Sequence, residues 1–196
     1  MVQTLGVSVD GQFPALVLEY CAGGSLDKAL YNPSKQMSYV DKLRIITGIA
    51  KGMLHLHSNN IVHRDLAARN ILLSGTGEPK ISDFGMSRLV ADDEGMTTRT
   101  NVGPIKWMAP ESLKYKEYSK KSDVWSFGVV VWEIVTRVEP FKGEDLMELA
   151  LNIRDNGKTL TIPECEPIFQ TVMKECFLSD PTQRKVRKLM PASTPY

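Results

Sequence analysis

Between residues 39 and 57 the apolar side chains Leu43, Ile46, Ile49, Met53 and Leu56 recur three or four positions apart. That spacing lays one apolar stripe along a helix, so the pattern predicts a long amphipathic helix. Ahead of it, two apolar runs read as strands. Residues 1–9 alternate loosely, Asp10-Gly11 signals a turn, and 14–20 (PALVLEY) is compact and apolar. Residues 21–25 (CAGGS) read as a flexible end to the second strand. Farther on, 122–136 (SDVWSFGVVVWEIVT) is apolar nearly all round, with Glu133 as an interruption. Such a helix belongs in a core, and it is too short to cross a membrane. Two further amphipathic helices fit at about 144–155 and 167–178. A short apolar run, Ile71-Leu72-Leu73, precedes a Gly-rich turn at 74–77. Residues 86–108 are polar with little periodicity, a long loop of the kind that is either functional or disordered. Two strands followed mostly by helix predict an α+β fold that is mainly α.

Composition narrows the class. The chain has 196 residues, 42% hydrophobic and 24% charged, which is the balance of a single globular domain. A formal net charge of +1 gives no reason to expect a nucleic-acid partner. No apolar stretch reaches the length of a membrane span, and the first residues lack the basic and apolar regions of a signal peptide. Three cysteines, Cys21, Cys165 and Cys176, lie far apart. They suit free thiols in a reducing compartment, hence the cytoplasm, better than a disulfide framework or a metal site.

The candidate chemistry sits in HRDLAARN (63–70) and in Asp83-Phe84-Gly85. Asn70 and Asp83 offer hard oxygen donors suited to Mg²⁺. Asp65 is a separate carboxylate able to take or orient a proton. A metal to neutralise charge and a base to position a hydroxyl are the equipment of phosphoryl transfer. A lone Asp in a loop is more often a turn or cap residue, but here three motifs stand in order: His63-Arg64-Asp65-Leu66 with Asn70, Asp83-Phe84-Gly85, and Ala109-Pro110-Glu111.

That set resembles the protein kinase family. The resemblance implies ATP and Mg²⁺ as cofactors, with Asp65 as catalytic base and Asn70 and Asp83 as metal ligands. His63 and Phe84 are similar to packed residues that align the family's two lobes, and Arg64 to an arginine that pairs with a loop phosphate. Asp123 resembles a buried Asp that bonds to the catalytic loop, although it would also serve as a helix N-cap. Glu111 and Arg184 resemble a structural ion pair. Leu18-Glu19-Tyr20-Cys21 looks like a hinge whose Glu19 and Cys21 backbone would hold adenine over Leu72; on its own it reads as a buried strand and turn. The resemblance divides the chain into residual N-lobe strands (1–20), hinge (21–25), C-lobe (26–190) and tail (191–196).

HRDLAARN, with Ala67 rather than Lys two after Asp65 and Arg69 four after, is similar to the tyrosine-kinase loop. Pro104-Ile105-Lys106-Trp107-Met108 and 122–128 are similar to the same subfamily. The resemblance therefore implies a protein substrate carrying tyrosine, with Arg69 and 104–108 placing it; a serine/threonine kinase is the competing substrate reading. The location it implies is cytoplasmic, or the cytoplasmic part of a membrane receptor.

The pattern also breaks. No G-x-G-x-x-G loop or V-A-I-K lysine occurs in the chain. Losing one preorganised donor costs about 10²–10³ in rate, so the chain alone is expected to be a poor enzyme, and a non-catalytic, kinase-derived interaction module is the alternative. No tyrosine lies between Met86 and Trp107. Gly95 stands where many tyrosine kinases are autophosphorylated, which leaves Thr97, Thr98 and Thr100 as nearby hydroxyls. In the tail, the family's C-W, D-P and R-P appear as Cys176-Phe177, Asp180-Pro181 and Arg184-Lys185, and Tyr196 is either a phosphosite or simply a terminus.

Overall fold

A computed structural model describes residues 1–9, 11, 13–89, 96–97 (backbone only) and 104–185. Strand β1 (Thr4–Ser8) pairs antiparallel with β2 (Ala15–Leu18). Their Leu5, Val7, Leu16, Val17 and Leu18 are all exposed. Next come β3 (Gly24–Ser25), α1 (Leu26–Leu30) and the long α2 (Tyr39–Ser58). Strands β4 (Ile61–Val62), β5 (Ile71–Leu73), β6 (Pro79–Ile81) and β7 (Arg88–Leu89) follow, then β8 (Met96–Thr97), α3 (Pro110–Tyr115) and β9 (Glu117–Tyr118). The chain ends in α4 (Lys120–Thr136), α5 (Leu146–Asn156) and α6 (Pro167–Cys176). Among the described residues, β3–β5–β6 is the largest sheet, while β4–β7 and β8–β9 are two-residue ladders.

Local chemistry explains the helix bounds. Ser38 and Asp41 form a reciprocal capping box at the start of α2, each side chain accepting from the other's backbone N–H. The neighbouring Ser38 groups hold the Asp41 carboxyl below its ordinary value. Ser119 caps α4 in the same way, with Ser122 as partner. Arg137 closes α4 at φ 59, and its guanidinium donates to the carbonyls of Leu30 (3.0 Å), the last residue of α1, and Asn32 (2.7 Å), just past it.

Helix α4 is the axis of the core. Val130, Val131 and Ile134 are fully buried against apolar residues of α1, α2, β5 and α6. Contact with α6 is close because residue 128 is glycine. A Cβ there would stand 2.5 Å from the Cys176 Cβ and 2.9 Å from the Phe177 ring. Gly128→Ala should therefore cost about 1–3 kcal/mol by overpacking, despite alanine's better helix propensity. Urea unfolding checks this, and a variant as stable as the parent would show that α6 can move aside.

The structure corrects the reading of residues 21–25 as flexible. Gly23 donates to the Leu73 carbonyl (2.9 Å), Gly24 donates to the Cys21 carbonyl (3.1 Å), and Gly24–Ser25 pairs with β5. Gly23 serves close approach here rather than mobility, since a Cβ would lie 2.7 Å from the Leu73 Cβ and 2.8 Å from two carbonyl oxygens. The expectations for Gly95, Thr98, Thr100 and Tyr196 fall outside the described residues, and for Thr97 only the backbone is described.

Candidate active site

Helix α2 delivers the chain to β4, and the next eight residues form the loop 63–70 that carries Asp65. Asp123, on α4 and 1% exposed, anchors that loop. Its Oδ2 accepts the His63 N–H (2.8 Å) and lies 2.9 Å from His57 Nε2, while its Oδ1 accepts the Arg64 N–H (2.9 Å). The cap of α4 is Ser119, so of the two roles open to Asp123 in the sequence the helix-cap one is excluded. Arg64 sits at φ 71, a left-handed conformation disfavoured for a side chain of its kind. Its guanidinium lies 4.2 Å from the Tyr118 ring centroid.

His63 is fully buried. Nε2 faces the Ser82 carbonyl (3.1 Å) and Nδ1 accepts the Asp65 N–H (3.3 Å), so these partners require the proton on Nε2. Its ring centroid is 5.5 Å from that of Phe84. A donor to one segment and an acceptor from the other, His63 ties the loop to the segment that leads into Asp83.

Asp65 is 8% exposed. Burial pushes its pKa up, with the Arg69 guanidinium opposing. Arg69 is ion-paired with the Asp65 carboxylate and stacks over Trp107, 4.6 Å from guanidinium carbon to ring centroid. Asn70 donates from its side-chain amide to the Asp65 carbonyl (2.7 Å), and its own carbonyl takes the Ser82 N–H (2.9 Å) and Oγ–H (2.8 Å). Asp83 is exposed at φ 59 and accepts the Gly85 N–H at 3.3 Å. The Asp83 charge contributes to raising the Asp65 pKa.

These residues fit a magnesium ion. The Asn70 side-chain nitrogen is committed to the Asp65 carbonyl and its backbone carbonyl to Ser82, which leaves the side-chain Oδ1 as the donor available to a cation. Asp83 supplies a solvated carboxylate. Among the described residues no three His, Cys, Asp or Glu cluster as a metal cage. Mg²⁺ takes one or two protein oxygens and completes its shell with water and phosphate.

Around the expected adenine position, Glu19 donates its N–H to the Gln3 carbonyl (2.9 Å), and the Cys21 carbonyl is taken by Gly24 (3.1 Å). The Glu19 carbonyl and the Cys21 N–H are the groups left to meet a ring edge. The Glu19 side chain pairs with Lys80 (2.6 Å) and accepts the Gln3 N–H (2.6 Å), and both partners hold its carboxyl below the ordinary range. Leu72 lies opposite Lys80 in the β5–β6 register, so the hinge segment and Leu72 are brought to one place.

Sequence reasoning did not find the role of Glu133. It is fully buried, with a carboxylate that accepts the Trp107 indole N–H (2.7 Å), the Ala68 N–H (3.2 Å) and the Tyr31 hydroxyl (2.5 Å). Burial raises its pKa against the pull of these donors. The available signal was one acid in an apolar helix, since a buried charge needs partners. At the far end of the lobe, fully buried Arg184 grips Glu111 bidentately at 2.6 and 3.0 Å and stacks on Trp125.

Residues 1–190 match the family described as protein tyrosine and serine/threonine kinase. The chain belongs to the protein kinase family. It is 38% identical to ephrin type-A receptor 3 of Danio rerio over 172 residues, 86% of this chain and 18% of that protein. It is 36% identical over 190 residues to tyrosine-protein kinase Abl of Drosophila melanogaster, covering 96% and 12%. It is also 34% identical over 187 residues to probable serine/threonine-protein kinase drkD of Dictyostelium discoideum, covering 94% and 14%. The chain thus spans less than a fifth of each of these relatives. Membership in the kinase family supports phosphotransfer to protein substrates, and kinases generally use ATP and Mg²⁺. No described helix is long and apolar enough to cross a membrane.

Proposed function

We propose that this chain is the catalytic-lobe portion of a protein tyrosine kinase that works in the cytoplasm, free or as part of a receptor. Residues 1–20 are its residual N-lobe strands, 21–25 the hinge, 26–190 the C-lobe and 191–196 the tail. Glu19 and Cys21 present backbone groups to adenine above Leu72. Asn70 and Asp83 hold Mg²⁺, which when bound neutralises phosphate charge. Asp65 accepts the proton of the tyrosine hydroxyl as its oxygen bonds to the γ-phosphorus and the bond to the ADP oxygen breaks.

The observation that carries the tyrosine reading is the stack of Arg69 between Asp65 and Trp107. It couples the loop carrying the base to the segment Ile105–Trp107, and those are two of the three segments whose sequence resembles tyrosine kinases. A phenolic hydroxyl stands farther from its backbone than a serine hydroxyl, so a broad wall beside Asp65 suits the longer reach. The test is a pair of peptides differing only in Tyr or Ser at one position, incubated with γ-labelled Mg-ATP. Label should enter the tyrosine peptide, and transfer to the serine twin alone would overturn the assignment.

The exposed apolar face of β1–β2 favours one second reading, a non-catalytic interaction module derived from a kinase. Calorimetry separates the two, because such a module would not bind Mg-ATP.

A further inference from the structure

We infer that the Ser82 hydroxyl is a positioning group that sets the spacing between Asn70 and Asp83, the two side chains proposed to share a divalent cation. The metal part of this inference rests on that proposal. Ser82 links the two segments through all three of its polar groups. Its N–H (2.9 Å) and its Oγ–H (2.8 Å) both donate to the backbone carbonyl of Asn70, and its own carbonyl faces His63 Nε2 at 3.1 Å. That carbonyl lies in one peptide plane with the Asp83 N–H, so holding it restrains the φ of Asp83, which stands at 59.

The hydroxyl is the part of this arrangement that strand pairing does not supply. Ile71 opposite Ile81 is the last pair of the β5–β6 register on this side, and the bond from the Ser82 N–H to the Asn70 carbonyl is one rung beyond it. The end of a ladder opens first, and here the two chains part: Asn70 ends the 3₁₀ turn Ala68–Asn70, and Asp83 is left-handed. A second donor from the same residue fills the other lone pair of the Asn70 carbonyl and doubles this final rung. Just before it, β6 is held on both edges, by β5 and by the Val2 N–H on the Ile81 carbonyl (2.8 Å). Asn70 is then fixed at two points, its side-chain nitrogen on the Asp65 carbonyl (2.7 Å) and its backbone carbonyl on Ser82. Together these anchors set where Oδ1 points. Without the hydroxyl the fold keeps its backbone bonds, but the spacing of the two proposed ligands loosens.

Ser82→Ala removes the hydroxyl alone, and Ser82→Thr restores an Oγ on a residue suited to a strand. The probe is Mn²⁺, a paramagnetic ion that takes the same hard oxygen ligands as Mg²⁺. It is titrated into the full chain and followed by the broadening of the Asn70 and Asp83 NMR signals. Ser82→Ala should weaken Mn²⁺ binding about tenfold, the lower end for residues that orient metal ligands. Ser82→Thr should bind Mn²⁺ as the parent does. In hydrogen exchange the residue 82 amide should exchange about fivefold faster in Ser82→Ala, the factor for one neutral hydrogen bond. The Ile49 amide in the core of α2 should be unchanged. Parent-like Mn²⁺ affinity in Ser82→Ala, or a Ser82→Thr no better than Ser82→Ala, overturns the inference. Equal acceleration at Ile49 does so too, because the loss would then be a general loosening. A parent chain with no broadening at Asn70 or Asp83 sinks the metal proposal, and exchange at residue 82 then still decides whether the hydroxyl holds the two segments together.

Discussion

Replacing Asp123 by alanine is expected to cost about 3–5 kcal/mol, the scale for removing one partner from a buried charged network. The carboxylate is the shared acceptor for His63 N–H and Arg64 N–H and sits 2.9 Å from His57 Nε2. Alanine leaves all three groups without it, in a place where water does not reach easily. It also releases Arg64, whose φ of 71 is a conformation that costs about 1–3 kcal/mol and persists only when its surroundings enforce it. The loop should therefore open locally before the chain unfolds, with the Asp65 and Ala68 amides losing protection first. Asp123→Asn should fall between parent and alanine, since one oxygen can serve one side of the network while the amide faces a donor on the other. Urea unfolding and hydrogen exchange measure both. A cost of Asp123→Ala under about 1 kcal/mol would mean that the loop is held by something else.

The contrast between Asp123 and Glu133 shows which parts of this molecule a sequence reveals. Both are acids in one apolar helix. Asp123 was legible because its motif resembles a family pattern, whereas Glu133 was legible only as an interruption. Its three partners come from residues 31, 68 and 107, and no local pattern encodes a meeting of such distant segments. The long helix α2 was readable because its one buried face imposes a periodicity over many residues, and α4 because it is apolar nearly all round. Helices α1 and α3 are five and six residues long, too short for a period to show. The two-residue ladders β4–β7 and β8–β9 likewise owe their existence to tertiary placement. At the hinge, glycine was misread because a sequence does not distinguish freedom of φ from room for a neighbour. Gly23 needs the room, against Leu73 and Ser74. Within the site, Asp65, Asn70 and Asp83 could be named from spacing. The stack of Arg69 on Trp107 could not, because it joins two segments nearly forty residues apart.

Asp65→Asn should lower phosphate transfer to a tyrosine peptide by about 10²–10⁴-fold, the usual contribution of a positioned general base. The substitution keeps the size of the side chain and one acceptor oxygen, so Arg69 can still donate to it and the Arg69–Trp107 stack should survive. The backbone carbonyl of residue 65 still takes the Asn70 amide, which keeps the proposed metal ligand in place. Removing the buried carboxylate's charge also relieves its desolvation cost, so stability should hold or rise slightly. Binding of Mg-ATP should be unchanged while transfer is lost, and this separation of binding from chemistry makes the test specific. Asp83→Asn provides the opposite pattern. It weakens a proposed metal ligand that is exposed and makes few contacts, so Mg-ATP binding should fall together with transfer. Single-turnover transfer from γ-labelled ATP, normalised to bound nucleotide, distinguishes the two. If Asp65→Asn transferred at the parent's rate per bound ATP, Asp65 would not be the base. The alignment of His63, Asn70 and Arg69 around it would then be a structural arrangement only.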